Sequence, residues 1–211
     1  MQVTLAGESL LLDRDRAMFW PRRRTLIVAD VHLGKGSAFR RAGVAIPSGS
    51  TRDDLERLSA LIETYAAERL LVLGDLFHAP LLASEPWLDD VDAFRLRHSQ
   101  LDISVIRGNH DRVDGVPQRW RLNWQVQLSE PPLLFMHDAQ PSSLGHALGG
   151  HLHPVTSLRS GGDRLRLPVF WLRERVAVLP SFGAFTGGYP IRAEAGDRVI
   201  AVTPERLIAI A

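Results

Sequence analysis

The chain has 211 residues, enough for one sizeable core and short for two, so residues 1–211 are expected to form one domain. Hydrophobic residues make up 45% and charged residues 23%, which excludes a disordered chain, and a net charge of +1 gives no global drive toward nucleic acid or membrane. With no cysteine, disulfide frameworks, thiolate zinc sites and cysteine nucleophiles are excluded as well.

The first twenty residues carry Asp13, Arg14, Asp15 and Arg16 and show no signal-peptide pattern. No apolar run approaches the ~18 residues of a membrane span, so a cytoplasmic protein is expected. Lys35 is the only lysine among 25 Lys plus Arg. A preference for arginine codons explains the skew and leaves Lys35 conspicuous beside the first motif below.

In chain order, short apolar runs at 25–29, 70–73, 103–106 and 133–136 each end abruptly in a polar or Gly-containing segment. Runs of four or five residues rich in Val, Ile and Leu predict buried strands. Between the first two, Ser50 and Asp53 suggest a capping box, and Leu55, Leu58, Ile62 and Tyr65 recur at helical spacing. A second helix is predicted over 85–97. After residue 150, segments 164–172, 176–179 and 198–202 read as strands joined by turns at Gly161-Gly162 and Gly196-Asp197. Helices alternate with strands early and strands dominate late, which predicts an α/β sandwich of two sheets with helices outside.

Metal-binding side chains follow the predicted strands. Asp30-Val31-His32 places a carboxylate and an imidazole two residues apart, on one side of an extended chain. Asp75 follows Gly74 directly after a strand and could bridge two cations or cap a helix. Gly108-Asn109-His110-Asp111 offers a neutral oxygen ligand, an acid-base imidazole and a carboxylate to orient it. His137 ends the fourth run, and Gly150-His151-Leu152-His153 repeats the two-residue step. Five of the eight histidines fall in these blocks, and oxygen and nitrogen donors without sulfur suit Mn, Fe or Zn.

This ordered set resembles the calcineurin-like metallophosphoesterase superfamily over residues 30–153. The resemblance implies a four-layer α/β/β/α sandwich and two divalent metal ions, Mn²⁺ first and Fe or Zn next. It implies Asp30, His32, Asp75 and His153 around one metal, and Asp75, Asn109, His137 and His151 around the other, with Asp75 bridging. His110 would protonate the leaving oxygen, with Asp111 orienting it, while the cations clamp the phosphate and activate water. Met136 stands where many members have Gly before the lone His, a departure outside the ligand itself.

The words around the ligands, Asp-Val-His-Leu-Gly-Lys (30–35), Phe39-Arg40-Arg41-Ala42-Gly43, Gly-Asp-Leu-Phe-His (74–78) and 181–188, are similar to one subgroup. Its members are encoded beside a DNA ligase, an exonuclease and a helicase in bacterial repair clusters. That likeness implies a manganese-dependent endonuclease acting on single-stranded DNA, functionally associated with those partners.

Lys35, Arg40 and Arg41 could hold phosphates beside the scissile one or form a solvated helix face. Arg107 could contact phosphate or a local acid. His78 is a candidate to approach the substrate and is not assigned to metal. Arg22–Arg24 read as a solvated run. Trp20, Trp120 and Trp124 read as core residues, with base stacking as the alternative. The segment 182–188 is too glycine-rich for a strand interior and is expected to loop over the site. A DNA endonuclease predicts an open basic groove. A small-molecule phosphoesterase predicts a closed pocket with Lys35, Arg40 and Arg41 turned away. A scaffold that had lost the reaction would lack some ligands, and all are present.

Overall fold

The computed structural model describes residues 1–112, 114–160 and 163–211. Seven strands form the first sheet in sequence order: β1 (Gln2–Leu5), β2 (Glu8–Leu12), β3 (Met18–Trp20), β4 (Thr25–Val28), β5 (Arg69–Leu73), β6 (Asp102–Ile106) and β7 (Leu122–Gln125). From β1 to β4 neighbours are antiparallel, and from β4 to β7 they are parallel. The parallel crossovers carry helices α1 (Lys35–Arg41), α2 (Ser50–Thr64) and α3 (Trp87–Arg97).

The remaining strands are β8 (Leu128–Glu130), β9 (Leu133–Phe135), β10 (His146–Gly149), β11 (Pro154–Ser160), β12 (Asp163–Leu172), β13 (Val176–Val178), β14 (Tyr189–Pro190), β15 (Arg198–Val202) and β16 (Leu207–Ala209). The second sheet runs β14-β11-β12-β13-β10-β9-β8, with β15 pairing to β12 and β16 to β15.

The continuous apolar runs arise because both faces of the first sheet are covered. Alternate residues Leu26, Val28, Leu70, Val72, Ile103 and Val105 pack under Leu55, Leu58 and Ile62 of α2 and Val91 and Phe94 of α3. Their neighbours Ile27, Leu71, Leu73 and Ile106 face the second sheet, against Phe135, Leu148, Phe170 and Ile200. Fully buried large side chains of this kind each stabilise the fold by about 1.5–3 kcal/mol. The two-sheet α/β sandwich is therefore built with its helices on the first sheet. The outer face of the second sheet carries no helix among the described residues, only small apolar clusters around Val176 and Val199.

Several boundaries differ from the sequence reading. Strands β1 to β3 were not anticipated, because three- to five-residue strands interrupted by the charged 13–16 turn carry little periodic signal. The capping box does not form: the N-cap of α2 is Gly49 in the left-handed region at φ 96°, with no side-chain cap, and Ser50 is already helical. Helix α3 starts at Trp87 after Pro86. The Gly196-Asp197 turn is present, closed by the Asp197 N–H to the Glu194 carbonyl at 3.1 Å. The proposed Gly161-Gly162 turn lies outside the described residues.

Candidate metal centre

The parallel strands β4, β5 and β6 end at the same edge of their sheet, and each hands its next residues to a crevice between the sheets. Asp30 and His32 follow β4, Asp75 follows β5, and Asn109 and His110 follow β6. From the other sheet, β9 delivers His137 and β10 delivers His151 and His153.

The two-residue steps are not extended, as the sequence reading had them. Asp30 (φ 52°), His32 (φ 54°), His151 (φ 64°) and His153 (φ 48°) are all left-handed, as is Asp75 (φ 47°). Each such residue costs of order 1–3 kcal/mol and persists only where surrounding contacts over-determine it. Here the contacts are tight: Asp30 N–H reaches the Gly74 carbonyl at 3.1 Å and His32 N–H the Asp75 carbonyl at 2.9 Å. Asp30 and His32 still converge, since both offer donor atoms to one group with His153, whereas His151 turns to His137.

One group consists of Asp30, His32 and His153. The Nε2 atoms of His32 and His153 stand 3.3 Å apart, and His153 Nε2 lies 3.5 Å from Asp30 Oδ2. A second group surrounds His137, whose Nε2 is 3.0 Å from Asn109 Oδ1, 3.1 Å from His151 Nδ1 and 3.6 Å from Asp75 Oδ2. Asp30, Asp75 and His137 also offer donor atoms all within 4.8 Å of one another. Asp30 is thus common to both geometric clusters, whereas the resemblance gives the bridge to Asp75.

The donors fit divalent cations. His137 donates Nδ1–H to the Leu73 carbonyl at 3.1 Å, which leaves Nε2 its free lone pair. Burial, then the nearby charges of Lys35, His153, His78 and His110, holds His32 neutral, at a pKa of about 2. Neutral imidazole is the ligating form. Asp30 is 0% exposed, its Oδ1 has no hydrogen-bond partner, and neither has His32 Nδ1. An isolated buried carboxylate oxygen is costly, and a cation removes that cost.

Glycines allow the approach. A Cβ on Gly74 would fall 2.0 Å from His137 Nδ1, one on Gly108 2.1 Å from Asp75 Oδ1, and one on Gly150 2.3 Å from Asp30 Oδ2. Side chains at these positions would occupy the space of the ligands themselves.

His110 stands exposed at the mouth, its Nε2 4.0 Å from Asp75 Oδ2 and its N–H on Asp75 Oδ1 at 2.9 Å. Its ring centroid is 5.1 Å from that of His78, which is 5.2 Å from His32. Burial, then Lys35 and His110, lowers the His78 pKa. Lys35 is half-buried beside these rings. Burial lowers its pKa, against the pull of Asp30 and Asp75.

Other candidates have different partners from those expected. Asp111 does not orient His110. Its Oδ1 accepts the Phe77 N–H at 3.0 Å and its Oδ2 the Gly108 N–H at 2.9 Å, joining the β5 and β6 loops. Arg40 donates to the Pro47 carbonyl and to Ser37 Oγ, both at 2.9 Å, and Arg41 pairs with Glu85. Both leave the phosphate role unsupported. Arg107 remains exposed next to the Asn109 turn. Trp20 and Trp120 are core residues, 1% and 0% exposed, with indole N–H bonds to Glu8 and Asp92, and Trp124 packs on the helical core. Arg22 and Arg23 pair with Glu8 and Glu130, and Arg24 with Glu68.

The segment after Ser181 is a strap behind the centre, not a cover. Ser181 Oγ and Gly183 N–H both donate to the Asp30 carbonyl, at 2.9 and 3.1 Å, and Phe182 N–H donates to Ala29. Helix α2 holds the strap. Asp54 Oδ2 accepts the Ala184 N–H at 3.0 Å, and Arg57 donates to the Phe182 carbonyl at 2.5 Å while lying 4.1 Å over its ring. Arg16 adds a bond to the Ser181 carbonyl at 3.1 Å. The sequence reading missed Arg16, Asp54 and Arg57. The available signal was an acid and an arginine, Asp54 and Arg57, adjoining the apolar stripe of a helix.

A model of the calcineurin-like phosphoesterase domain matches residues 23–186, which include every ligand and the strap. Among solved structures, the nuclease MPE of Pseudomonas putida is 35% identical, with a TM-score of 0.84 over 100% of this chain and 99% of that one. YfcE, a phosphoesterase from E. coli, is 19% identical, with a TM-score of 0.43 over 89% of this chain and 92% of that one. No curated protein matches the sequence. No helix is long and apolar enough to cross a membrane among the described residues. The chain belongs to the calcineurin-like phosphoesterase family, metal-dependent hydrolases of phosphate esters.

Proposed function

We propose that this phosphoesterase is a nuclease that cuts single-stranded DNA internally, uses Mn²⁺, and serves DNA repair in the cytoplasm. The carrying observation is the full-length likeness, at 35% identity, to the Pseudomonas putida nuclease. The exposed mouth supports it, since His110, Asn109 and His151 all reach solvent where a polymer can pass. In a repair setting the same reading gives a DNA ligase, an exonuclease and a helicase as functional associates.

Asp30, His32 and His153 would hold one cation, and Asn109, His137 and His151 the other, with Asp75 between them. When bound, such a pair polarises the phosphoryl group and supplies an activated water. His110, exposed at the solvent side of the ligands with its Nε2 4.0 Å from Asp75 Oδ2, would protonate the departing oxygen. Lys35 adds positive charge beside the same group. Asp111 ties the two loops together through the Phe77 and Gly108 N–H groups.

One observation favours a second reading, hydrolysis of nucleotides or other small phosphodiesters: Arg40 and Arg41 are engaged by Pro47 and Glu85 and do not face the ligands.

Circular single-stranded DNA separates the two. The metal-stripped enzyme and His110→Ala are incubated with the circle and with Mn²⁺, Mg²⁺ or Zn²⁺ in turn. Linear products with Mn²⁺, falling by roughly 10²–10⁴-fold in the variant, are expected. An intact circle alongside hydrolysis of a simple phosphodiester would remove the DNA reading and leave the phosphoesterase.

A further inference from the structure

Most arginines with described side chains are spoken for by a carboxylate or a carbonyl, Arg41 by Glu85, Arg57 by Asp54 and Arg119 by Asp92 among them. Arg107 and Arg112 are among the exceptions, and the two that adjoin the metal centre. Both are exposed, and neither side chain makes a hydrogen bond or ion pair among the described residues. Both line a cleft of about 560 Å³ that also takes in Asn109 and His110 from the metal centre.

The walls of this cleft are chemically divided. Arg107 and Arg112 make the cationic side, with Asp114 the acidic residue in the lining and paired with neither. Pro80, Leu81 and Leu82 make an apolar side, and Leu82 is 49% exposed. A cleft lined by both cationic and apolar residues matches a nucleotide, whose phosphate is anionic and whose sugar and base present flat apolar faces. The position also fits. The loop from Arg107 to Arg112 contains Asn109 and His110, so an anion held by the two arginines lies along the chain from the phosphate beside His110. The guanidinium fork binds phosphate oxygens in pairs, which suits it to fix register where a lone ammonium would not.

We propose that Arg107 and Arg112 form a second phosphate subsite, holding a backbone phosphate next to the scissile one on the His110 side. The subsite rests on the nuclease reading and deepens it: it selects a polynucleotide over a substrate with a single phosphate. It also replaces Arg40 and Arg41, which the fold turns elsewhere, as the source of cationic contacts beyond Lys35.

The test compares wild type, Arg107→Ala, Arg112→Ala and the double variant with Mn²⁺, on circular single-stranded DNA and on bis(p-nitrophenyl) phosphate. The readout is the ratio of the two kcat/KM values, so that damage to the metal centre cancels. Each substitution is expected to lower the ratio by about 5–20-fold and the double variant by more. The dependence of DNA cleavage on log salt should weaken by about 0.7 per arginine removed. Arg→Lys variants should keep the salt slope and recover only part of the ratio. A ratio and slope unchanged in the double variant would overturn the subsite while leaving the nuclease intact. If the wild type hydrolyses the small diester and spares the circle, the nuclease reading falls and this subsite falls with it.

Discussion

The two sheets contribute to the same crevice by different means. The first sheet supplies the oxygen donors Asp30, Asp75 and Asn109 together with one imidazole, His32, on loops that leave parallel strands and are cross-bonded to one another. The second supplies imidazoles, His137, His151 and His153, from two neighbouring parallel strands. Among the described residues helices back the first sheet alone, and there Asp111, Asp54 and the partly buried Arg57 brace the loops from behind. The difference teaches where rigidity is needed. The buried Asp30 and Asp75 carboxylates are the side chains that cost most to bury, and their loops are heavily cross-bonded.

Removing a carboxylate should break the comparison most severely. Asp75→Asn is expected to lose about 10³-fold or more in diester hydrolysis, together with bound Mn²⁺ counted by elemental analysis. Retention of both cations and most of the activity would show that Asp30, common to the two geometric clusters, is the bridge instead.

A smaller loss is expected one layer back. Arg57→Ala removes the bond and the stacking that hold the strap against the Asp30 carbonyl. Mn²⁺ titration should show affinity weakened by about 10–100-fold, with His137 and its neighbours still in place. Equal affinity in the variant would mean that Ser181 and Gly183 hold Asp30 unaided.

The smallest change should come from Arg40→Ala, whose side chain hydrogen-bonds to the Pro47 carbonyl and Ser37 Oγ. Its kcat/KM on DNA is expected to stay within about twofold, in keeping with a surface contact. A tenfold drop would return Arg40 to the substrate.

Much of the core was legible. The runs at 25–29, 70–73, 103–106 and 133–136 match strands β4, β5, β6 and β9 within a residue at each end, because a strand buried on both faces has to be apolar throughout. The short antiparallel strands β1 to β3 were not legible, since their neighbours, not their periodicity, make them strands. Among the candidate site residues, the Asp, Asn and His donors do meet. Arg40, Arg41 and Asp111 stand at similarly suggestive positions and are used otherwise.

What the sequence determined by itself was the inventory: which donor types exist, in what order, and that each follows a buried strand. Hydrophobic patterning and donor chemistry are local properties, so one chain read linearly exposes them. Which donors share a cation, which arginines stay free, and what holds Asp30 in a left-handed turn were decided only by the tertiary structure. Those outcomes depend on contacts such as Ser181 to Asp30 and His151 to Asp30, made across more than a hundred residues. Such contacts exist only once the two sheets have packed against each other.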